Sequence, residues 1–542
     1  MSKPAMSGQM MDDYQLSLTA VVERAERFGA ERKVVSRRPD GSIYRTTLGT
    51  CAHRARRLAF ALRELGVGEG DRVATLLWNQ PEHLELYLGV PPMGAVIHTV
   101  NPRLHREELA FIVSDAEDRV IVIDESLLEA FESFRADWGF EHVIVVSHSG
   151  QIPEGMLDYE SLVGDGEEMS WPASAERQAA AMCYTSGTTG SPKGVLYSHR
   201  ALVLHSLVAA LPDQMGLSSR DTILPVVPMF HVNAWGLPYT AALAGAALVL
   251  PGPKLDAVSV LDLLAEERVT VTAGVPTVWM AVLAALDAEP ERWDLSALER
   301  MVVGGSAVPR IMLEGYDRHG LNVIQAWGMT EMSPLGSVCR VHADLVDAGE
   351  DELYEYRARQ GVPSPLVEIR ARGENGELIP WDDQMMGELE VRGPWVAASY
   401  YRGRGGDRFT EDGWFKTGDV VKLDSRGCIR ICDRFKDLVK SGGEWISSVD
   451  LENLLMAHPA IAEAAVIAIP DERWGERPMA VVVLKEGDEV SREELRDHLG
   501  QKFAKWQLPE RVEFVEAIPR TATGKFKKLE LREQYVGSPV RA

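Results

Sequence analysis

The sequence predicts an α/β protein with a small α+β domain at its C-terminal end, and three observations carry that prediction. From about residue 50 helix-like and strand-like segments alternate, as in proteins built on parallel sheets. The strand-like segments are short, continuous apolar runs of the kind that is covered on both faces, with no internal repeat of fixed period. The last hundred or so residues change to a compact strand, strand, helix, strand series.

In chain order, residues 51–65 read as an amphipathic helix, 72–77 as a buried strand and 82–88 as a second helix. Residues 120–123, 142–146, 246–250 and 269–273 continue the strands. The apolar runs 179–184 and 195–197 flank a polar loop. Near the end come strands at 464–469 and 479–484, a helix at 492–503 and a strand at 511–515. A charged hexapeptide, Asp433-Arg434-Phe435-Lys436-Asp437-Leu438, precedes a turn at Ser441-Gly442-Gly443 and sets the expected boundaries: a large domain over 1–432, a linker over 433–438 and a small domain over 439–542. Its charge predicts a solvated position for Asp433.

Composition narrows the function classes. A chain of 542 residues exceeds one ordinary domain, and 45% hydrophobic with 25% charged residues is the balance of a folded soluble protein. The formal charge of -24 excludes nucleic acid as an expected partner and obliges an anionic substrate to find a local positive site. Five scattered cysteines without a C-x-x-C pair argue against a disulfide framework or a zinc site and suit a reducing cytosol. The start of the chain lacks a signal-peptide pattern. The longest apolar run, 236–250, is shorter than the roughly 20 residues of a bilayer span. A cytoplasmic protein without a transmembrane segment is expected, and peripheral membrane contact is left open.

The polar loop is Thr185-Ser186-Gly187-Thr188-Thr189-Gly190-Ser191-Pro192-Lys193-Gly194. Three glycines let backbone N–H groups approach an anion, five hydroxyls add donors, and Lys193 supplies charge. A mobile phosphate-binding loop between two strands is predicted. A flexible linker would share the Gly, Ser and Thr content, but needs neither the lysine nor a strand on each side. The loop is not a Walker A sequence.

Further runs follow: Gly304-Gly305-Ser306-Ala307, Gln325-Ala326-Trp327-Gly328-Met329-Thr330-Glu331, Thr417-Gly418-Asp419, the hexapeptide, residues 440–447 and 519–525. Together with the loop, and in this order, they resemble the motifs of the adenylate-forming enzymes: acyl-CoA synthetases, firefly luciferase and peptide-synthetase adenylation domains. The resemblance spans nearly the whole chain and is nearest to bacterial medium- and long-chain fatty acyl-CoA synthetases.

That resemblance implies a large N-terminal domain of several subdomains and a small mobile C-terminal domain that swings about Asp433. It implies ATP, Mg²⁺ and coenzyme A as cofactor and co-substrates. The 185–194 loop would grip phosphate, Gly304, Gly305 and Ser306 would form the adenine-side turn, and Gln325 to Thr330 would hold adenine. Glu331, an oxygen donor suited to a hard cation, would hold Mg²⁺ with Thr185. Asp419 and Arg434 would hold the ribose, Lys436, Lys440 and Trp445 would close over the adenylate, and Lys525 would be the catalytic lysine. Trp327 departs from the usual tyrosine; either ring can stack on adenine, but the hydroxyl is lost. Residues 225–236 form an apolar, aromatic stretch suited to a fatty chain, in which the resemblance places His231 beside the substrate carboxylate and makes Trp235 the gate of the acyl tunnel. Residues 274–277 match a wall segment, and 447–450 read as a capping box that starts a helix through 455.

The expected function is therefore a fatty acid–CoA ligase acting through acyl-AMP and pyrophosphate, expected to be a homodimer. A ligase for a short or methylthio-substituted acid such as 3-methylmercaptopropionate is an alternative. So is adenylation with transfer to carrier-protein pantetheine, or with hydrolysis or oxidation. A non-catalytic nucleotide- or acyl-binding protein is the alternative of another class.

Overall fold

The computed structural model describes residues 11, 13–164, 166–185, 191–441, 444–520 and 526–536. Among these residues the strands form four sheets. The first runs in the spatial order Leu157–Asp158, His142–Val146, Val120–Asp124, Arg72–Leu76, Val96–Thr99, Ala179–Tyr184, Gly194–Ser198, parallel except for the last pair. Val120–Asp124 is buried at every position, which is why its sequence is a continuous apolar run rather than an alternation.

The second sheet has five parallel pairings at its centre, through Val323–Gly328, Arg300–Gly304, Val271–Gly274, Thr222–Pro225, Ala247–Leu250 and Lys33–Arg37. Antiparallel strands close both edges: Ile43–Thr47 on one side, Leu335–Val338 and Val362–Pro363 on the other. Leu48–Glu64, Pro81–Gly89, His199–Ala209 and Leu237–Ala244 contribute to a continuous buried core shared by the two sheets. The apolar run 236–250 thus divides into a helix begun by Pro238, whose missing N–H is harmless in a first turn, and the strand Ala247–Leu250. The third sheet is an antiparallel meander of Glu368–Arg372, Gly387–Arg392, Phe415–Leu423 and Ile429–Arg434.

The fourth sheet belongs to the small C-terminal domain. Its long hairpin, Ile461–Asp471 with Gly475–Leu484, takes Arg511–Phe514 as a parallel neighbour and Val439–Ser441 as an antiparallel one. Helices Ser448–Met456 and Arg492–Leu499 cover one face, and Leu531 of Lys528–Val536 packs on the other. The expected helix over 492–503 is shorter than read and ends at Leu499. Ser447 caps the helix after it by accepting the Asp450 N–H at 3.0 Å, while the Asp450 carboxylate turns to Arg430 at 3.2 Å, so only half of the expected capping box forms.

One expectation is corrected here. Asp433 is not solvated: it is 1% exposed, near the end of the strand Ile429–Arg434. Its carboxylate accepts the Ser448 N–H at 2.7 Å, and burial pushes its pKa up despite the nearby Lys528 ammonium. The N-terminus of a helix leaves N–H groups without intrahelical acceptors and attracts negative charge, and Asp433 fills that need across the junction between the sheets. Asp437 is likewise buried and pairs with Arg532 at 2.8 Å.

Candidate active site

The parallel strands of the second sheet deliver their carboxyl ends to one cavity of about 650 Å³. Val226 to Val232 follow Thr222–Pro225, Val275 and Val278 follow Val271–Gly274, Gly305 follows Arg300–Gly304, and Met329 to Glu331 follow Val323–Gly328. Thr185 and Lys193 reach the same space from the first sheet, Thr417 and Gly418 from the third, and Phe526 from the small domain.

Two polar assemblies stand on its wall. In the first, the Trp327 indole N–H donates to Asp419 Oδ2 at 3.0 Å while Arg434 Nε pairs with Asp419 Oδ1 at 2.8 Å. Thr417 receives the Asp419 N–H at 3.0 Å and donates its own hydroxyl to the Leu389 carbonyl at 2.8 Å, fixing the carboxylate's backbone. The indole supplies a donor that the sequence comparison with tyrosine did not anticipate. Its ring lies over Gly336, where a Cβ would come within 2.5 Å of it. In the second assembly the Tyr400 hydroxyl donates to Glu331 Oε1 at 2.5 Å, and Glu331 is only 6% exposed. Tyr197 anchors the Thr330 carbonyl at 2.6 Å and the Ala397 N–H anchors the Glu331 carbonyl at 2.7 Å, so the carboxylate projects from a fixed backbone.

Thr185 and Lys193 close the base of the Gly- and Thr-rich loop. The Thr185 N–H donates to the Lys193 carbonyl at 3.0 Å and the Lys193 N–H to Thr185 Oγ1 at 3.2 Å. Lys193 Nζ stands 5.6 Å from the Tyr400 ring centroid. Arg103, Lys193, Arg408, Arg434 and Lys436 line the cavity together with Glu331, Glu388, Asp407 and Asp437, so basic and acidic side chains are nearly balanced there within a strongly acidic chain. Burial lowers the pKa of Lys436 and of Arg103, whose guanidinium lies 5.6 Å from the Phe230 ring centroid.

The apolar part is made by Val226, Val227, Phe230, Val232, Trp235, Leu255 and Val278, with His231 among them. Val232, Asn233, Ala234 and Trp235 have φ of 47°, 52°, 47° and 57°, a left-handed turn closed by Gly236 at 73°. Val232, Ala234 and Trp235 each bear roughly 1–2 kcal/mol of local strain there, whereas asparagine, as at 233, visits this region readily. Gly236 cannot carry a side chain, since a Cβ would stand 2.6 Å from the His205 ring. Gly304 is similarly constrained: its Cβ would lie 2.4 Å from the Ala326 carbonyl oxygen and 3.2 Å from the Trp235 ring, so the turn after Arg300–Gly304 and the Trp235 ring meet at a bare backbone.

Of the residues singled out in the sequence, Thr185, Lys193, His231, Trp235, Gly305, Ala326 to Glu331, Arg434 and Lys436 line this cavity, and Asp419 is bonded to two of them. Gly304, Ser306, Gln325, Asp433, Lys440 and Trp445 do not line it. Lys440 pairs with Glu374 at 3.2 Å and lies 5.5 Å from the Trp445 ring centroid. Ser186, Gly187, Thr188, Thr189, Gly190, Gly442, Gly443 and Lys525 lie outside the described residues. Sequence reasoning missed Tyr400, Arg103, Arg408 and Phe526; none sits in a pattern that marks it, except that Phe526 directly follows the predicted lysine. Among the described residues no helix is long and apolar enough to cross a membrane, and no three His, Cys, Asp or Glu side chains gather to hold a metal.

Comparison with known proteins matches residues 21–401 to the family described as AMP-binding enzyme and residues 450–525 to the AMP-binding enzyme C-terminal domain. The chain is 50% identical to a long-chain-fatty-acid–CoA ligase of Thermus thermophilus, covering 98% of this chain and 97% of that one. It is 45% identical to a medium-chain-fatty-acid–CoA ligase of Ectopseudomonas oleovorans and 44% identical to a 3-methylmercaptopropionyl-CoA ligase of Ruegeria pomeroyi, covering 98% of this chain and 98% and 99% of the relatives. Among solved structures it is similar to the anthranilate CoA ligase AuaEII in complex with anthranoyl-AMP, at a TM-score of 0.86 with 25% identity over 97% of this chain and 99% of that one. With both parts of the family matched in order over one continuous cavity, the chain belongs to the AMP-binding enzymes, with their large N-terminal and small C-terminal domains.

Proposed function

We propose that the protein is a fatty acid–CoA ligase that activates a medium- or long-chain acid with ATP and transfers the acyl group to coenzyme A. The observation that carries this reading is the single cavity in which Thr185, Lys193, Glu331 and the Trp327–Asp419–Arg434 assembly adjoin the apolar wall of Phe230, Val232 and Trp235. The relatives named as fatty-acid ligases support the substrate class.

In the first step a carboxylate oxygen forms a bond to the α-phosphorus of ATP and the bond to pyrophosphate breaks. Lys193 offsets charge on the phosphates, and Asp419 with Arg434 orients the ribose. Lys525, directly before Phe526 in the chain, stabilises the charge shared by carboxylate and phosphate, and His231, which lines the same cavity, is assigned to the substrate carboxylate. In the second step the coenzyme A sulfur bonds to the acyl carbon, AMP leaves and the thiol proton passes to solvent. The small domain reorients about Asp433 between the steps, with a linker over 433–438. A Mg²⁺ ion fits the donor set: a hard cation that keeps most of its waters needs only one or two protein oxygens beside the phosphates, and Glu331 and Thr185 face the same cavity. Bound there, it would neutralise phosphate charge. The reading includes a cytoplasmic homodimer.

Pyrophosphate release with coenzyme A present, over saturated acids from four to sixteen carbons, tests the proposal. Turnover rising toward the longer acids is expected, and no release with any of them refutes it. Preference for a methylthio-substituted short acid favours the second reading, which the Ruegeria relative motivates. Lys525→Ala is expected to slow acyl-AMP formation by about 10²- to 10³-fold, the usual effect of removing one preorganised charge, and thioester formation from supplied acyl-AMP by less.

A further inference from the structure

Behind the cavity wall one buried carboxylate gathers partners from both sides of the phosphate-binding region. Asp115 lies in the last turn of the helix Arg106–Ala116, and its side chain is 4% exposed. A negative charge at a helix C-terminus opposes the helix dipole, so its place there is held by other groups. Its Oδ2 accepts the Tyr184 hydroxyl at 2.7 Å and Arg404 Nη1 at 2.9 Å, and its Oδ1 accepts Arg404 Nη2 and, at 3.3 Å, Arg402 Nη1.

These partners come from the two segments that carry the grip. Tyr184 ends the strand that leads directly into Thr185. Arg402 and Arg404 follow Tyr400, the residue bonded to Glu331. Arg402, Gly403 and Gly405 have φ of 59°, 66° and 61°, which folds this segment back on itself. A Cβ on Gly405 would stand 3.0 Å from the Tyr400 ring and 3.2 Å from Lys193 Cε, so the folded segment closes over both side chains. Gly194 meets it from the other side, with a Cβ there 3.2 Å from Tyr401 Cβ.

We propose that Asp115 is a positioning residue for adenylation. Through Tyr184 and Arg404 it clamps the base of the phosphate loop to the 400–405 segment, and so sets the spacing between Lys193 and the Tyr400–Glu331 pair. The inference rests on the ATP-dependent reading above, and a charge-assisted, two-pronged pair of this kind is rigid enough to hold such a spacing.

The test compares wild type, Asp115→Ala, Arg404→Ala and the double variant in two half-reactions. These are single-turnover pyrophosphate release with dodecanoate, or the fastest acid of the series, and thioester formation from the matching acyl-AMP. Each single variant is expected to raise the KM for ATP and slow adenylation by about tenfold or more, with thioester formation within about twofold of wild type. The double variant should be no slower than the worse single one, because one clamp is broken twice. Arg404→Lys, which keeps the charge but not the fork, should recover part of the loss. Arg404 is 36% exposed, so its variants carry the test even where Asp115→Ala fails to fold. Equal slowing of both half-reactions, additive losses, or unmoved kinetics overturn the clamp. Wild type that releases no pyrophosphate instead refutes the functional reading beneath it.

Discussion

Replacing Trp327 with phenylalanine keeps a ring against Gly336 but deletes the N–H that Asp419 accepts at 3.0 Å. Both residues are buried, at 7% and 2% exposure, so water replaces that donor poorly. A hydrogen bond to a charged acceptor contributes about 1.5–3 kcal/mol. The lower half of that range applies, because Arg434 still holds the other oxygen at 2.8 Å. A coupling of about 1.5–2 kcal/mol between the two side chains is therefore expected. Urea unfolding of Trp327→Phe, Asp419→Ala and the double variant isolates it, since the packing lost with the smaller ring is common to both arms of the cycle. The carboxylate stays in place for ribose, so the KM for ATP should rise by less than about tenfold and kcat should hold. A coupling below about 0.5 kcal/mol, the scatter of independent sites, would show that the indole does not secure Asp419.

Tyr400→Phe leaves Glu331 without its 2.5 Å donor; adenylation should need about tenfold more Mg²⁺, and an unchanged Mg²⁺ titration counts against the role given to this pair. Gly304→Ala places a methyl 2.4 Å from the Ala326 carbonyl and should destabilise by about 1–3 kcal/mol while raising the KM for ATP; wild-type unfolding and binding would contradict the steric reading. Burial lowers the pKa of His83, His199 and His205 to about 4, from the 6.5 of a free side chain. At these sites the unfolded chain binds more protons than the native one between those values, so the stability the three histidines contribute should be complete above pH 6.5, fall as pH drops through this window and level off below about 4, by up to about 1.4 kcal/mol per pH unit for each histidine, while buried Glu85 and Glu452, raised to about 8 and about 7, act in the opposite direction. In urea unfolding at pH 7 and pH 5 the stability difference between wild type and His205→Gln should shift in favour of the variant at pH 5; a difference that is the same at both pH values rejects the assignment.

Part of the two large sheets was legible because burial on both faces forces runs such as Val120 to Ile123 to be apolar throughout, and the strands read this way end within two residues of the expected positions, whereas Val96–Thr99, Thr222–Pro225, Arg300–Gly304 and Val323–Gly328 were not read as strands. What the chain's local chemistry does not encode is pairing. Lys33–Arg37 joins the second sheet beside Ala247–Leu250, some two hundred residues away, and nothing in either segment names the other. In the site, motif residues such as Thr185, Lys193 and Glu331 line the cavity while Ser306, Gln325, Lys440 and Trp445 do not, and Tyr400 and Asp115 escaped notice because each meets its partner far along the chain. Asp433 was misplaced for the same reason: a charged hexapeptide reads as solvated until the N-terminus of Ser448–Met456 is seen to cover it.

The left-handed turn from Val232 to Trp235 also bears on attempts to change which acid the protein accepts. A substitution library over these positions passes through a backbone filter before any acid is offered. Asparagine, aspartate and glycine tolerate φ near +50°, while most β-branched and bulky replacements add strain to a turn that already contains valine and tryptophan. Variants selected there for activity will be enriched for residues that suit the turn, and an altered chain-length preference among them has to be separated from an altered backbone before it is credited to the fit of the acid.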